Sequence, residues 1–334
     1  MAETAKKSPL TLQDIKDAQV RIKPYVNRTP LVRVEDLDEM VGCQVYFKAE
    51  MLQKTGAFKA RGAFNKVLTL TDEERKKGII FSSSGNHAAA CAYVAKKFGM
   101  KAYAVMPRDT PKGKIENCER RGGICILWDR DYQARVKKVA DEIKEHGYTL
   151  VHGFDDYTVM AGQGTIGLEI MEDLPDVKTV IAPIGGGGLM SGIATAIKES
   201  DPTIRVIGVQ VAASCGYYLS RLNGRPTRMT SQPSLADGIG CSYPTENPYP
   251  IIDKYVDEIV IVTEDHIAEA VKYIGEYAHL VAEPTSAVVL AALLEGKIKT
   301  APDEKVACVL TSGNYDIDLV GKFYKDEHVD PVDD

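Results

Sequence analysis

Thr179-Val-Ile-Ala-Pro-Ile-Gly-Gly-Gly-Gly-Leu-Met-Ser-Gly-Ile-Ala-Thr-Ala-Ile-Lys-Glu199 is the stretch that decides the fold. An apolar, β-branched run, Thr179–Pro183, passes through Ile184 into the tetraglycine Gly185–Gly188 and then into a helical pattern over Leu189–Glu199. A strand that enters a helix through a small-residue loop is the unit of a parallel sheet, because parallel neighbours require a crossover. One or two glycines suffice for such a turn. Four in a row leave bare backbone N–H groups at a helix N-terminus, where the helix dipole adds its positive end, so the loop reads as a cradle for a phosphate.

The same texture extends in both directions. Ile80–Ser84 runs into Gly85–Ala95 in the same strand-loop-helix manner. Strands are expected at Gly78–Ser82, Ala102–Met106, Ile124–Leu127, Thr179–Pro183, Val206–Val211 and Val306–Thr311. Helices are expected over Ala88–Phe98, Tyr132–Glu145, Val159–Glu172, Leu189–Glu199, Glu264–Ala278 and Ser286–Leu294. An N-terminal helix starts at Thr11, where Thr11 and Asp14 resemble a capping box, and stops near Pro24. Leu222–Pro250, rich in Gly, Pro, Ser and Thr, reads as a long irregular excursion, and the acidic tail Asp326–Asp334 as frayed. No period of solenoid length recurs.

With 334 residues, 44% hydrophobic and 26% charged, the chain is long enough for about two domains and has the composition of a globular protein, not of a disordered one. A net charge of −6 offers no broad basic face, so nucleic acid is not expected as a partner. Met1–Leu10 lacks an apolar core and no long apolar run follows, which argues against a signal peptide or membrane span and for a cytoplasmic protein. The seven cysteines include no C-x-x-C pair and read as buried reduced thiols. The six histidines show no metal-binding spacing, so no metal is expected.

The glycine loop does not belong to a dinucleotide site: Met190 and Ser191 stand where the third glycine of G-x-G-x-x-G would fall, and the next strand offers Gln210 in place of an acidic ribose ligand. A nicotinamide dehydrogenase is therefore disfavoured, and a phosphate on a smaller cofactor fits better. Ser82-Ser83-Ser84-Gly85-Asn86-His87 forms a second helix start with hydroxyls and backbone N–H groups, suited to a carboxylate or, more plainly, to N-capping by Ser84. Lys59 sits between Phe58 and Phe64 just inside a third helix start, where desolvation and the helix dipole would both lower its pKa, as a nucleophilic lysine requires.

Seven motifs in one order, Lys-Thr-Gly-Ala-Phe-Lys-Ala-Arg-Gly-Ala (54–63), Ser-Ser-Gly-Asn-His (83–87), Ala-Gly-Gln-Gly-Thr-Ile-Gly-Leu-Glu (161–169), Gly-Gly-Gly-Gly-Leu (185–189), Ala-Asp-Gly (236–238), Glu-Pro (283–284) and Thr-Ser-Gly-Asn-Tyr-Asp (311–316), resemble the threonine dehydratase and serine racemase family of fold-type II pyridoxal phosphate enzymes. The resemblance spans about residues 11 to 320. It implies an α/β fold of two three-layer αβα domains with largely parallel sheets: a large cofactor-binding domain from 1–77 and 154–334, and a small mobile one from 78–153. It implies pyridoxal 5'-phosphate as cofactor, with Lys59 linked to it and removing the Cα proton. Gly185, Gly186, Gly187, Gly188 and Leu189 would hold its phosphate, Asn86 its phenolic oxygen and Phe58 would pack near its ring. Thr311 by position, or neighbouring Ser312, would meet the pyridine nitrogen. The backbone of Ser83, Ser84, Gly85, Asn86 and His87 would bind the substrate carboxylate. The implied reaction is α,β-elimination from L-threonine or L-serine, giving 2-oxobutanoate or pyruvate plus ammonia.

Two departures bear on the activity. Ser84 stands where dehydratases of the family often have Ala and racemases have the serine that protonates the opposite face of Cα. The positions matching the metal trio of metal-activated racemases are Gln210, Ser214 and Gly216, which lack the expected carboxylates, and Phe154 after His152-Gly153 resembles the dehydratase pattern. A threonine/serine dehydratase is the main expectation. Serine racemase or hydroxyaspartate dehydratase is the close alternative, and a non-catalytic phosphate-ligand binding module the distant one. The family resemblance further implies a homodimer or homotetramer, and the short stretch after Asp316 implies no C-terminal regulatory domain.

Overall fold

The computed structural model describes residues 9–241, 243–325 and 327–330. Of the tail expected to fray, residues 327–330 have no regular structure, and residues 326 and 331–334 lie outside the described residues. Among the described residues, ten strands form two sheets: β1 Leu31–Arg33, β2 Gln44–Ala49, β3 Ile79–Ser82, β4 Ala102–Pro107, β5 Gly123–Trp128, β6 Thr149–Leu150, β7 Thr179–Pro183, β8 Arg205–Val211, β9 Glu258–Val262 and β10 Lys305–Leu310. The larger sheet has the order β1-β2-β10-β7-β8-β9 and is parallel except for the edge pair β1/β2. The smaller, β5-β4-β3-β6, is parallel throughout and takes all its strands from between residues 79 and 150.

The α-helices are α1 Leu12–Ile22, α2 Asp38–Val41, α3 Lys59–Leu68, α4 Asp72–Lys77, α5 Asn86–Lys97, α6 Lys112–Arg120, α7 Tyr132–His146, α8 Tyr157–Asp173, α9 Gly188–Lys198, α10 Gly216–Asn223, α11 Pro248–Tyr255, α12 Glu264–Ala278, α13 Pro284–Leu294 and α14 Ile317–Tyr324. Thr11 and Asp14 form the expected capping box at α1. At α5 the N-cap is Gly85, without a side-chain cap bond, so of the two uses open to Ser84 the capping one is not realised. Strands β1, β2, β6 and β9 and helices α2, α4, α6, α10, α11 and α14 were not among the expected elements.

Both faces of β7 and β10 are buried, as a strand between parallel neighbours must be. Helices α3, α8 and α9 pack so closely that backbone touches backbone. A Cβ on Gly192 would lie 2.3 Å from the Met160 carbonyl oxygen, and one on Gly162 2.7 Å from that of Arg61. The glycines of the 161–169 motif therefore serve helix packing rather than ligand binding. Phe64 of α3 shares a core with Ile79 and Phe81 of β3 and Cys91 of α5, so α3 links the two sheets. All seven cysteines are free thiols, and Cys43, Cys91, Cys118, Cys215 and Cys308 are buried.

Candidate active site

Helix α3 opens at Lys59, and the chain just before it is stitched to the end of β10. Phe58 N–H donates to the Thr311 carbonyl (3.0 Å), Gly313 N–H donates to the Gly56 carbonyl (3.1 Å), and Ala57 bridges Ser312. Thr55, a β-branched residue, takes a left-handed φ of 63° at the turn that brings the chain into this position. Lys59 Nζ lies 5.0 Å from the centre of the Phe58 ring and donates to the Gly153 carbonyl at 2.8 Å. Burial pushes its pKa down to about 8. Among the described residues no carboxylate pairs with it, and about a tenth of the amine is then uncharged at pH 7, far more than for an ordinary lysine, in the form that attacks a carbonyl.

Gly153 joins this lysine to the glycine loop. The next residue, Phe154, lies against Gly186 and Gly188: a Cβ on Gly186 would stand 2.3 Å from Phe154 Cγ, and one on Gly188 2.7 Å from Phe154 Cα. Gly187 has a φ of 91° and sits under Tyr217, whose hydroxyl donates to the Gly186 carbonyl at 3.1 Å. Among the described residues, the amides of Gly185, Gly186 and Gly187 donate to no other group of the chain. They precede the first turn of α9, so their N–H groups and the helix dipole are available to one anion.

At the second helix start, Ser83 Oγ accepts from Gly85 N–H (3.3 Å), and the half-buried Ser84 hydroxyl hydrogen-bonds to no other group among the described residues. The His87 side chain is not aimed into the cleft. Its Nε2 donates to the Val151 carbonyl at 2.8 Å, and burial, followed by the nearby Lys59 charge, lowers its pKa to about 3. Only the backbone of His87 is left for a ligand. Asn86 is held on both sides: its Nδ2 donates to the two Glu283 oxygens (3.2 and 3.3 Å), and its Oδ1 accepts from Asn314 Nδ2 (2.8 Å). Glu283 is buried, and burial raises its pKa to about 7.

Thr311 and Ser312 are both buried and share one anchor. Ser286 Oγ donates to the Ser312 carbonyl (2.7 Å), accepts from Ser312 N–H (2.8 Å) and lies 2.8 Å from Thr311 Oγ1. Gly153, Glu283, Ser286 and Asn314 thus act on the site without having been assigned a part from the sequence. Of these, Glu283 carried a signal, because Pro284 at the first position of α13 marks a helix start beside it. Behind Lys59, Arg61 is fully buried with every guanidinium nitrogen engaged: Nε and Nη2 donate to Glu50 (2.8 Å each), Nη1 and Nη2 to Glu169 (2.7 and 2.9 Å). At the positions matching the metal trio, Gln210 is buried and hydrogen-bonded to backbone, and Ser214 Oγ donates to the Cys241 carbonyl at 2.9 Å.

The sequence profile of the family described as "Pyridoxal-phosphate dependent enzyme" matches residues 22–312. The chain is 45% identical over 318 residues to an L-threonine ammonia-lyase of Thermotoga maritima, covering 94% of this chain and 78% of that one. It is 41% identical over 314 residues to a catabolic L-threonine dehydratase of Staphylococcus aureus, covering 93% and 91%. Among solved structures, maize serine racemase superposes with a TM-score of 0.90 at 36% identity, covering 96% of this chain and 98% of that one.

Proposed function

The chain belongs to the family of pyridoxal-phosphate dependent enzymes, in its threonine dehydratase and serine racemase branch, and from that premise we infer that it is an L-threonine ammonia-lyase that forms 2-oxobutanoate and ammonia and accepts L-serine as a second substrate. The observation that carries the reading is the desolvated Lys59 amine, which donates to Gly153 while the adjoining Phe154 packs on a glycine loop with unpaired amides. The residues present suit the cofactor: those amides and the start of α9, with Leu189 next along, would hold its phosphate, Lys59 would link to it, Phe58 would pack near its ring, and Asn86 would hydrogen-bond its phenolic oxygen.

When bound, pyridoxal phosphate supplies an electron sink for the pair left on Cα after its proton departs, which lets a β-hydroxyl leave. The chain does the rest. Lys59 Nζ would hold the cofactor and take the Cα proton, and burial lowers its pKa toward the range a base needs near neutrality. The first-turn amides of α5, with the Ser83–His87 backbone, hold the substrate carboxylate. Thr311 or Ser312, both tied to Ser286, would offer the cofactor's ring nitrogen a neutral hydroxyl in place of a carboxylate, an environment that would weaken the electron sink and favour prompt loss of the β-substituent. Residues 1–77 with 154–334 form the large domain in this reading and 78–153 the small one, and closure of the cleft between them excludes water. A cytoplasmic homodimer or homotetramer belongs to the same proposal.

A racemase is the second reading, and the unengaged Ser84 hydroxyl favours it. Incubation with L-serine, following pyruvate and D-serine separately, distinguishes the two. The expected result is pyruvate as the main product; D-serine in large excess over pyruvate would replace the ammonia-lyase assignment with the racemase one. In the same assay, Ser84→Ala is expected to remove whatever D-serine forms and leave pyruvate formation in place.

A further inference from the structure

Gln210 lies near the C-terminal end of β8, outside the ligand-facing surface, and is fully buried. A buried primary amide is costly unless both ends are satisfied, and here both are. Its Nε2 donates to the Ile184 carbonyl at 3.1 Å, and its Oε1 accepts from Tyr218 N–H at 2.9 Å. Ile184 is the residue immediately before the tetraglycine, and its own N–H donates to the Val209 carbonyl at 2.8 Å. Its side chain sits over Gly208, where a Cβ would come within 2.1 Å of Ile184 Cδ1. Tyr218 lies in the first turn of α10, whose N-cap, Cys215, makes no side-chain cap bond, so Gln210 supplies the acceptor that this helix start otherwise lacks.

The two ends of the amide converge on one target. Helix α10 carries Tyr217, whose hydroxyl donates to the Gly186 carbonyl and lies over Gly187. One residue therefore fixes the glycine loop twice: directly at Ile184, and through α10 and Tyr217 at Gly186. We propose that Gln210 is a positioning residue for the phosphate-binding loop, with Tyr217 as its second contact. It rests on the reading of the loop as the cofactor's phosphate site. Only a neutral group with a donor at one end and an acceptor at the other satisfies both contacts; a carboxylate would set an acceptor against the Ile184 carbonyl.

The test is equilibrium titration of the apoenzyme, separately with pyridoxal phosphate and with pyridoxal, which lacks the phosphate. Wild type, Gln210→Met and Tyr217→Phe are compared. Loss of two buried hydrogen bonds in Gln210→Met is expected to weaken pyridoxal phosphate about 30-fold, and loss of one in Tyr217→Phe about fivefold. Pyridoxal is expected to bind both variants as it binds wild type, a selectivity that general loosening of the fold would not produce. Should Gln210→Met not fold, Tyr217→Phe carries the same comparison. Parallel weakening of both ligands, or of neither, overturns the proposal and leaves the functional reading standing. A wild-type protein that binds neither ligand overturns the functional reading and the proposal together.

Discussion

Replacing Lys59 with alanine is expected to lower 2-oxobutanoate formation from L-threonine by about 10⁴-fold or more, because one amine both anchors the cofactor and moves the Cα proton. The visible absorbance of the lysine-linked cofactor should disappear with it. The fold should survive, since among the described residues the Lys59 side chain hydrogen-bonds only to the Gly153 carbonyl and its removal strands no carboxylate partner. A pH measurement on the wild-type apoenzyme separates this role from simple packing. Burial holds the amine near pKa 8, so its neutral, nucleophilic fraction rises as pH passes upward through that value. The rate of reconstitution with pyridoxal phosphate should rise and level off within about a pH unit above 8. A lysine at its ordinary value would keep gaining rate to above pH 10. Continued acceleration beyond pH 10 would contradict the desolvated environment assigned to Lys59.

Arg61→Ala is expected to cost about 3–5 kcal/mol of unfolding free energy. The guanidinium is fully buried between Glu50 and Glu169, and Lys48 Nζ, also buried, donates to Glu169 at 2.7 Å. Burial alone would lower the pKa of Arg61; Glu50 and Glu169 reverse this and raise it above its usual value. In return, Arg61 and Lys48 outweigh the burial of Glu169 and hold its pKa low. Removing Arg61 leaves Glu50 buried without its cation, and uncompensated buried charge is the expensive outcome. Arg61→Lys keeps the charge but cannot fork between two carboxylates, so an intermediate loss is expected. Urea unfolding of the apoenzyme measures both. A loss under about 1 kcal/mol for Arg61→Ala would show that the cluster does not bear the junction of β2, α3 and α8.

The same cluster explains why part of the fold could not be read from the chain. Thr179–Pro183 and Glu264–Ala278 were legible to the residue, because apolar continuity in one and helical periodicity in the other are local signals. Strand β2 was not: its Lys48 looks like a solvent-facing residue until Glu169, far along the chain, arrives to pair with it. Strand β9, five residues between an acidic helix-ending stretch and α12, offered too short a pattern, and β6 has two residues. Lys59, Gly185–Gly188 and Asn86 were legible as motif residues. Their partners were not, because Glu283 and Asn314 reach Asn86 across 197 and 228 positions. His87 was assigned only its backbone, and its ring is spent on Val151 inside the core. N-capping by Ser84 was the plainer alternative to a carboxylate site; Gly85 takes that place, and among the described residues the Ser84 hydroxyl hydrogen-bonds to no other group of the chain.

Anaerobic or aerobic, with or without added divalent cation, one incubation bears most directly on the account: purified protein reconstituted with pyridoxal phosphate, mixed with L-threonine, with 2-oxobutanoate and ammonia quantified over time. The account predicts equimolar release of the two products, dependent on Lys59. Cofactor bound at Lys59 with no 2-oxo acid from either L-threonine or L-serine would contradict it.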